Sequence, residues 1–254
     1  MEIDLEQLKD AARALREARS VVVVTGAGVS AESDIPTFRG GMEGLWAEFD
    51  PMTLATPEAF AADPETVTKW YDWRRIKCQQ AEPNPGHVAL ARLERELEAN
   101  GGSFTILTQN VDGLHRRAGT RNVVELHGSL FAWRCSRTDE PCELPDGPFE
   151  QFPPLSPAGH PMRPGVVWFG ESLPEAALEA AFRTSNACDL FLSVGTSAVV
   201  YPAAGFLDLA RANGARTIEI NRDPTGHSSN VDWAFHAPSG RVLPRLADLA
   251  FGSG

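Results

Sequence analysis

Lysine is almost missing from this 254-residue chain: it occurs only at Lys9, Lys69 and Lys77, and arginine supplies the rest of the 23 cationic side chains. Carboxylates number 34, so the formal net charge is −11. That balance argues against nucleic acid or an anionic membrane as the main partner, because both call for a broad cationic face. Long apolar runs are missing too, and no stretch approaches the roughly 20 residues needed to cross a bilayer. The acidic start Met1-Glu2-Ile3-Asp4-Leu5 lacks the basic flank and apolar centre of a secretory signal, so the expected location is cytoplasmic. Cysteine is sparse, at positions 78, 135, 142 and 188. That is too few and too scattered for a disulfide framework, and reduced thiols are expected. No internal repeat is visible, and nothing in the chain sets an oligomeric state.

What is present suffices for a sizeable core, with 43% apolar residues in a length that suits one large domain or one domain carrying an insert. Glu6 to Arg19 carries Leu8, Ala11, Ala12 and Leu15 at helical spacing. Strand-like runs follow at Val21–Val24, Phe104–Thr108, Asn122–Leu126, Leu190–Val194 and Thr217–Ile220, with helical patterns at His87–Ala99 and Ala203–Asn213 between them. Strands apolar on both faces and separated by helices predict an α/β fold, a Rossmann-like doubly wound parallel sheet covered on both sides. Two segments break the alternation. They predict a smaller inserted lobe over about 42–83 and 131–164, leaving a core of about 1–41, 84–130 and 165–254. The tail after Leu246 reads as frayed.

The tract Thr25-Gly26-Ala27-Gly28-Val29-Ser30-Ala31 directly follows the valine run. A strand entering a glycine turn and then a helix suits a diphosphate: Gly26 for the tight turn, Gly28 for close approach, Ala31 for helix–strand contact. The same G-x-G-x-x-A pattern also suits an ordinary strand–turn–helix corner. It continues into Glu32-Ser33-Asp34-Ile35-Pro36-Thr37-Phe38-Arg39-Gly40-Gly41. Later come Thr108-Gln109-Asn110-Val111-Asp112-Gly113-Leu114-His115, Leu126-His127-Gly128, Val167-Trp168-Phe169-Gly170-Glu171 and Gly195-Thr196-Ser197.

In that order these motifs resemble the sirtuins, NAD-consuming protein deacylases, over roughly Val21 to Pro238. The resemblance implies NAD as co-substrate, held by Gly26, Ala27, Gly28, Ser30, Ala31, Phe38, Arg39, Gln109, Asn110, Asp112, Gly195, Thr196, Ser197 and Asn221. It makes His127 the base that deprotonates a ribose hydroxyl, with Asn110 and Asp112 orienting the sugar. Ser33 to Phe49 reads as a loop over that ribose. Val167, Phe169, Gly170 and Glu171 would receive the substrate peptide as an added strand. A hydride-transfer enzyme commonly grips the adenine ribose with an acidic residue after its second strand, whereas here the uncharged Asn221 serves.

Trp70-Tyr71-Asp72-Trp73-Arg74-Arg75 places Tyr71 and Arg74 on one helical face. The pair resembles that of sirtuins removing malonyl, succinyl or glutaryl groups, where a planar fork suits the distal carboxylate. Small Ala55 would leave the pocket roomy. The expected partners are therefore acyl-lysine side chains of proteins, acetyl included. ADP-ribosyl transfer or NAD hydrolysis at the same site is the alternative enzyme reading, and an NAD sensor without turnover a third. The family's zinc module wants two cysteine pairs, but Cys135 is followed by Thr138 and the second pair is replaced near Leu155 and Ala158. Zinc is expected to be absent, with Phe149, Phe152 and Leu155 packing in its place. A Cys135–Cys142 disulfide, or an arrangement of Cys135, Cys142 and His160, is the remaining alternative there.

Overall fold

The computed structural model describes residues 3–35 and 50–252. Phe38, Arg39 and most of the expected Ser33–Phe49 loop lie outside the described residues. In chain order the strands are β1 (Ser20–Thr25), β2 (Ser103–Thr108), β3 (Val123–Glu125), β4 (Gly128–Cys135), β5 (Pro141–Cys142), β6 (Met162–Val166), β7 (Leu190–Val194), β8 (Arg216–Asn221) and β9 (Trp233–His236). The helices are α1 (Leu5–Glu17), α2 (Pro51–Leu54), α3 (Pro57–Ala62), α4 (Pro64–Gln80), α5 (Pro85–Ala99), α6 (Leu114–Arg117), α7 (Glu175–Ala187), α8 (Gly205–Ala212) and α9 (Ser239–Phe251).

The main sheet is parallel throughout, in the order β3-β2-β1-β7-β8-β9. The valine run explains itself there, because successive side chains leave opposite faces of a strand. Val21 and Val23 pack under α1, α5 and α9 with Leu15, Leu90, Leu93, Leu243 and Leu246. Val22 and Val24 meet Ala181, Phe206, Leu207 and Ala210 of α7 and α8. Each such side chain contributes roughly 1.5–3 kcal/mol by leaving water. The order reverses about β1, with β2 on one side and β7 on the other, so the crevice at their carboxyl ends is where this topology places a ligand.

A second sheet, antiparallel in the order β5-β4-β6, occupies residues that the sequence reading treated as a loop. With α3 and α4 it encloses Val67, Trp70, Tyr71, Leu130, Trp133, Met162 and Trp168. Helix α4 starts with Asp63 accepting from the Thr66 N–H at 3.0 Å and with Pro64 in the first turn, where its missing N–H costs nothing.

Two expectations are corrected, and the helix expected after Gly26 takes a particular form. The chain after Gly26 forms a 3-10 helix, Ala27–Ser33, because the Gly28 N–H is drawn to Gly195 O (2.9 Å) and the Val29 N–H to Gly26 O (3.1 Å) rather than into an α ladder. The tail after Leu246 is the end of α9, with Leu246, Ala247 and Ala250 buried. Leu155 is 49% exposed rather than packed inward, whereas Phe149 meets Trp133 with ring centroids 4.9 Å apart. Among the described residues no helix is long and apolar enough to cross a membrane.

Candidate active site

Two glycine turns meet at the switch point. Gly26 N–H donates to Val194 O at 3.1 Å, and a Cβ on Gly28 would fall 2.7 Å from the Gly195 Cα. Gly195 itself has φ +62 and would place a Cβ 2.3 Å from Val29 N. These glycines let the β1 and β7 ends interlock, a tighter demand than the approach of a ligand alone. The amides of Gly26, Gly28 and Val29 are consequently engaged within the protein. Beside them is a narrow hollow lined by Gln109, Thr196, Ala198, Val200 and His227 among others.

Ser30 is a hub. Its hydroxyl donates to Asp112 Oδ2 at 2.7 Å and accepts from Asn110 Nδ2 at 3.0 Å, and His87 Nε2 lies 3.3 Å away. Asp112 also caps α6 by accepting from the Leu114 N–H at 2.9 Å. His87 Nδ1 accepts from the Asn84 N–H at 3.3 Å, which leaves the ring proton on Nε2 to donate to Ser30. His115, 4.9 Å from His87 between ring centroids, has Nε2 2.9 Å from Thr25 Oγ1. Burial pushes His87 down to about 4, against the pull of Asp112, and burial with His87 nearby pushes His115 down to about 3. Both rings are neutral at physiological pH. Sequence reading missed them; the signal was Asn84-Pro85-Gly86-His87, an N-cap with Pro at the first position and a side chain reaching back three residues on.

His127 follows β3 and stands with its Nδ1 3.0 Å from the Gln109 carbonyl oxygen. A carbonyl only accepts, so Nδ1 carries the proton and Nε2 is left with its lone pair. Burial lowers the His127 pKa below 6.5, partly offset by that bond. The turn beyond it requires glycine: Gly128 has φ +74, and a Cβ there would lie 2.0 Å from Gly165 O. The His127 carbonyl accepts from the Val167 N–H at 2.9 Å, so the histidine and the segment 167–171 are directly joined.

In that segment the amides of Val167, Trp168, Phe169 and Glu171 are all engaged, Phe169 on the Ala55 carbonyl at 2.9 Å. In this segment, expected to receive the peptide along its main chain, both Glu171 carboxylate oxygens accept from Arg163, at 2.7 and 2.9 Å. Burial alone would raise the Glu171 pKa; hydrogen bonds from Arg163 and the Trp168 N–H bring it below the ordinary value. Tyr71 is buried, edge-on to Trp70 at 4.6 Å and 6.3 Å from the Trp168 ring; burial drives its phenol pKa up. The Arg74 guanidinium lies 4.9 Å from the Trp70 ring, and burial lowers its pKa while Tyr71, Cys78 and Asp112 oppose that shift. Thr196 Oγ1 is 2.9 Å from Ser193 Oγ, next to Ser197, and Asn221 Nδ2 donates to Asp223 O at 2.8 Å.

The donors around Cys135 do not fit a zinc ion. Its thiol accepts from Ser156 Oγ at 3.2 Å, and bonds from Ser156 and Thr138 bring it down to about 7. The residue meeting Cys135 is thus Ser156, not Leu155. Cys142 Sγ instead donates to the Glu140 carbonyl at 3.6 Å. Among the described residues no three His, Cys, Asp or Glu side chains come together as metal ligands.

The sheet, the crevice and these motifs define an enzyme of a known class. Residues 26–202 match the Sir2 family, and the chain belongs to that family. An NAD-dependent protein deacylase of Thermus thermophilus is 53% identical over 224 residues, covering 87% of this chain and 86% of that protein. NAD-dependent protein deacylase 1 of Pseudomonas aeruginosa is 50% identical over 245 residues, covering 93% and 96%. A crystal structure of a Sir2 homolog–NAD complex superposes with TM-score 0.87 at 44% identity, covering 95% of this chain and 93% of its own. A Sir2 complex with a deacetylated peptide and an O-acetyl-ADP-ribose gives TM-score 0.82 at 29% identity, covering 97% and 99%.

Proposed function

We propose that this chain, an NAD-dependent protein deacylase of the Sir2 family, acts preferentially on lysines carrying acidic acyl groups: succinyl, malonyl and glutaryl, with acetyl a poorer substrate. NAD, as co-substrate, supplies a ribose carbon that loses nicotinamide as the acyl oxygen attacks. The residues do the rest. Asn110 and Asp112, locked through Ser30, orient the sugar. His127 Nε2 takes the proton of a ribose hydroxyl, its other nitrogen being held by Gln109. With one water consumed as the acyl group leaves the lysine for the ribose, the products are nicotinamide, O-acyl-ADP-ribose and free lysine. We take the protein to work in the cytoplasm and the 131–164 stretch to hold no zinc.

The observation that carries the acyl preference is the pairing of a buried phenol and a guanidinium on one face of α4, walled by Trp70 and Trp168. A guanidinium partly withdrawn from water keeps its charge and gains most from a carboxylate. Arg74→Met tests this. Leaving the substrate carboxylate unpaired costs roughly 2–5 kcal/mol, about thirtyfold to several thousandfold, whereas acetyl has no charge to strand. Turnover of succinyl-lysine and acetyl-lysine peptides, followed by mass, should show a selective loss on succinyl. Equal slowing of both would leave a plain deacetylase.

A further inference from the structure

The strand β6 ends at Val166, and the next five residues have no ladder to hold them. Gly170, at φ +88, turns the chain, and Phe169 is exposed. Two backbone bonds tie it, from the Val167 N–H to His127 O and from the Phe169 N–H to Ala55 O, and its side-chain contacts converge on Arg163. The planar guanidinium bridges both oxygens of Glu171 (2.7 and 2.9 Å) and donates to Val166 O at 3.2 Å. Its face stacks on Trp168, with the central carbon 3.6 Å from the ring centroid. Glu171 Oε2 in turn accepts from the Trp168 N–H at 2.9 Å, closing a ring of contacts around one turn. On its far side the Trp168 indole packs against Phe60 at 5.3 Å and Tyr71 at 6.3 Å.

We infer that Arg163 is a positioning residue for the substrate peptide, holding the 167–171 segment and the Trp168 wall in the one conformation that presents an edge to an incoming strand. With their amides engaged internally, Val167 and Phe169 have carbonyl oxygens that accept no backbone bond among the described residues outside helices and strands. Those are the acceptors an added strand needs. Order established before binding lowers the entropy lost on binding, so it acts on peptide affinity rather than on the chemical step. Lysine cannot replace the device: one ammonium neither bridges two carboxylate oxygens in a plane nor stacks on an indole. Glu171, on this account, serves the clamp and not the peptide.

The inference rests on the deacylase activity, which turnover by the unaltered protein establishes first, and not on the acyl preference, because the clamp holds main chain. Arg163→Lys and Arg163→Met should raise the peptide KM about tenfold, because the 167–171 segment must then be ordered as the peptide binds. The rise should be the same for acetyl and succinyl peptides. NAD affinity by direct titration and kcat at saturating peptide should stay within about threefold of the original. Glu171→Gln, which cannot accept both guanidinium nitrogens, should repeat the split. If Arg163→Met fails to fold, Arg163→Lys decides. An unchanged peptide KM in Arg163→Lys, or a parallel loss of NAD affinity, overturns the inference. A raised KM in Glu171→Gln alone makes Glu171 a direct peptide contact and overturns it equally.

Discussion

In the base role proposed for it, His127 depends on one acceptor, the Gln109 carbonyl, which fixes the tautomer, and on burial, which favours the neutral ring. His127→Ala should retain the fold and NAD binding while losing on the order of 10²–10⁴-fold in rate; near-normal turnover by a folded variant would remove it from the base role. With its pKa depressed, the acid limb of kcat/KM should lie below the ordinary 6.5 of a histidine. His87 and His115 carry a stability consequence. Their folded values, about 4 and about 3, lie below the unfolded 6.5, so the unfolded chain takes up protons first as pH falls. Their contribution is intact above pH 6.5 and is lost progressively on the way down toward pH 4 and below. Urea midpoints measured across that range should fall steeply, and His115→Gln should flatten the slope. The motif residues were legible because sequence order suffices to recognise them. The Ser30 hub was not, since its partners His87 and Asp112 come from positions 57 and 82 residues away.

At the scale of the element, α4 carries two i, i+3 pairs offset by a single residue. Tyr71 and Arg74 belong to one; Asp72 and Arg75 form a buried ion pair at 2.7 Å, with both side chains 3% exposed. Arg75 donates to the carbonyls of Pro145 (3.1 Å) and Gly147 (2.6 Å), and Asp72 Oδ2 accepts from the Phe149 N–H at 3.0 Å. This ties residues 145–149 to α4. Arg75→Met, which strands the Asp72 charge, should cost about 3–5 kcal/mol and expose residues 143–152 to proteases. Purified protein should hold well under one zinc per chain by elemental analysis, and chelators should leave its melting curve unmoved. The antiparallel strands were not legible because β6 reads Met-Arg-Pro-Gly-Val, and Pro and Gly are ordinarily punctuation. Helix α9 was hidden by Pro244 within it, although Val242, Leu243, Leu246 and Ala250 keep helical spacing.

Across the whole molecule, the parallel core was readable because strands buried on both faces leave uninterrupted apolar runs such as Val21–Val24, with helices packed on each side. What organises the molecule lies where the halves of the sheet part, at the abutting turns of Gly28 and Gly195. Added carbon at Gly28 would strike backbone atoms of Gly195, and the reverse holds as well. Because the obstacle on each side is main chain, changing the partner residue cannot make room, and a compensating second mutation offers no escape. A library randomised at positions 26, 28 and 195 and selected for folding should return glycine at 28 and 195. The floor of the proposed ligand crevice is therefore closed to side chains from both directions, and variation there has to begin at positions whose neighbours are side chains rather than main chain.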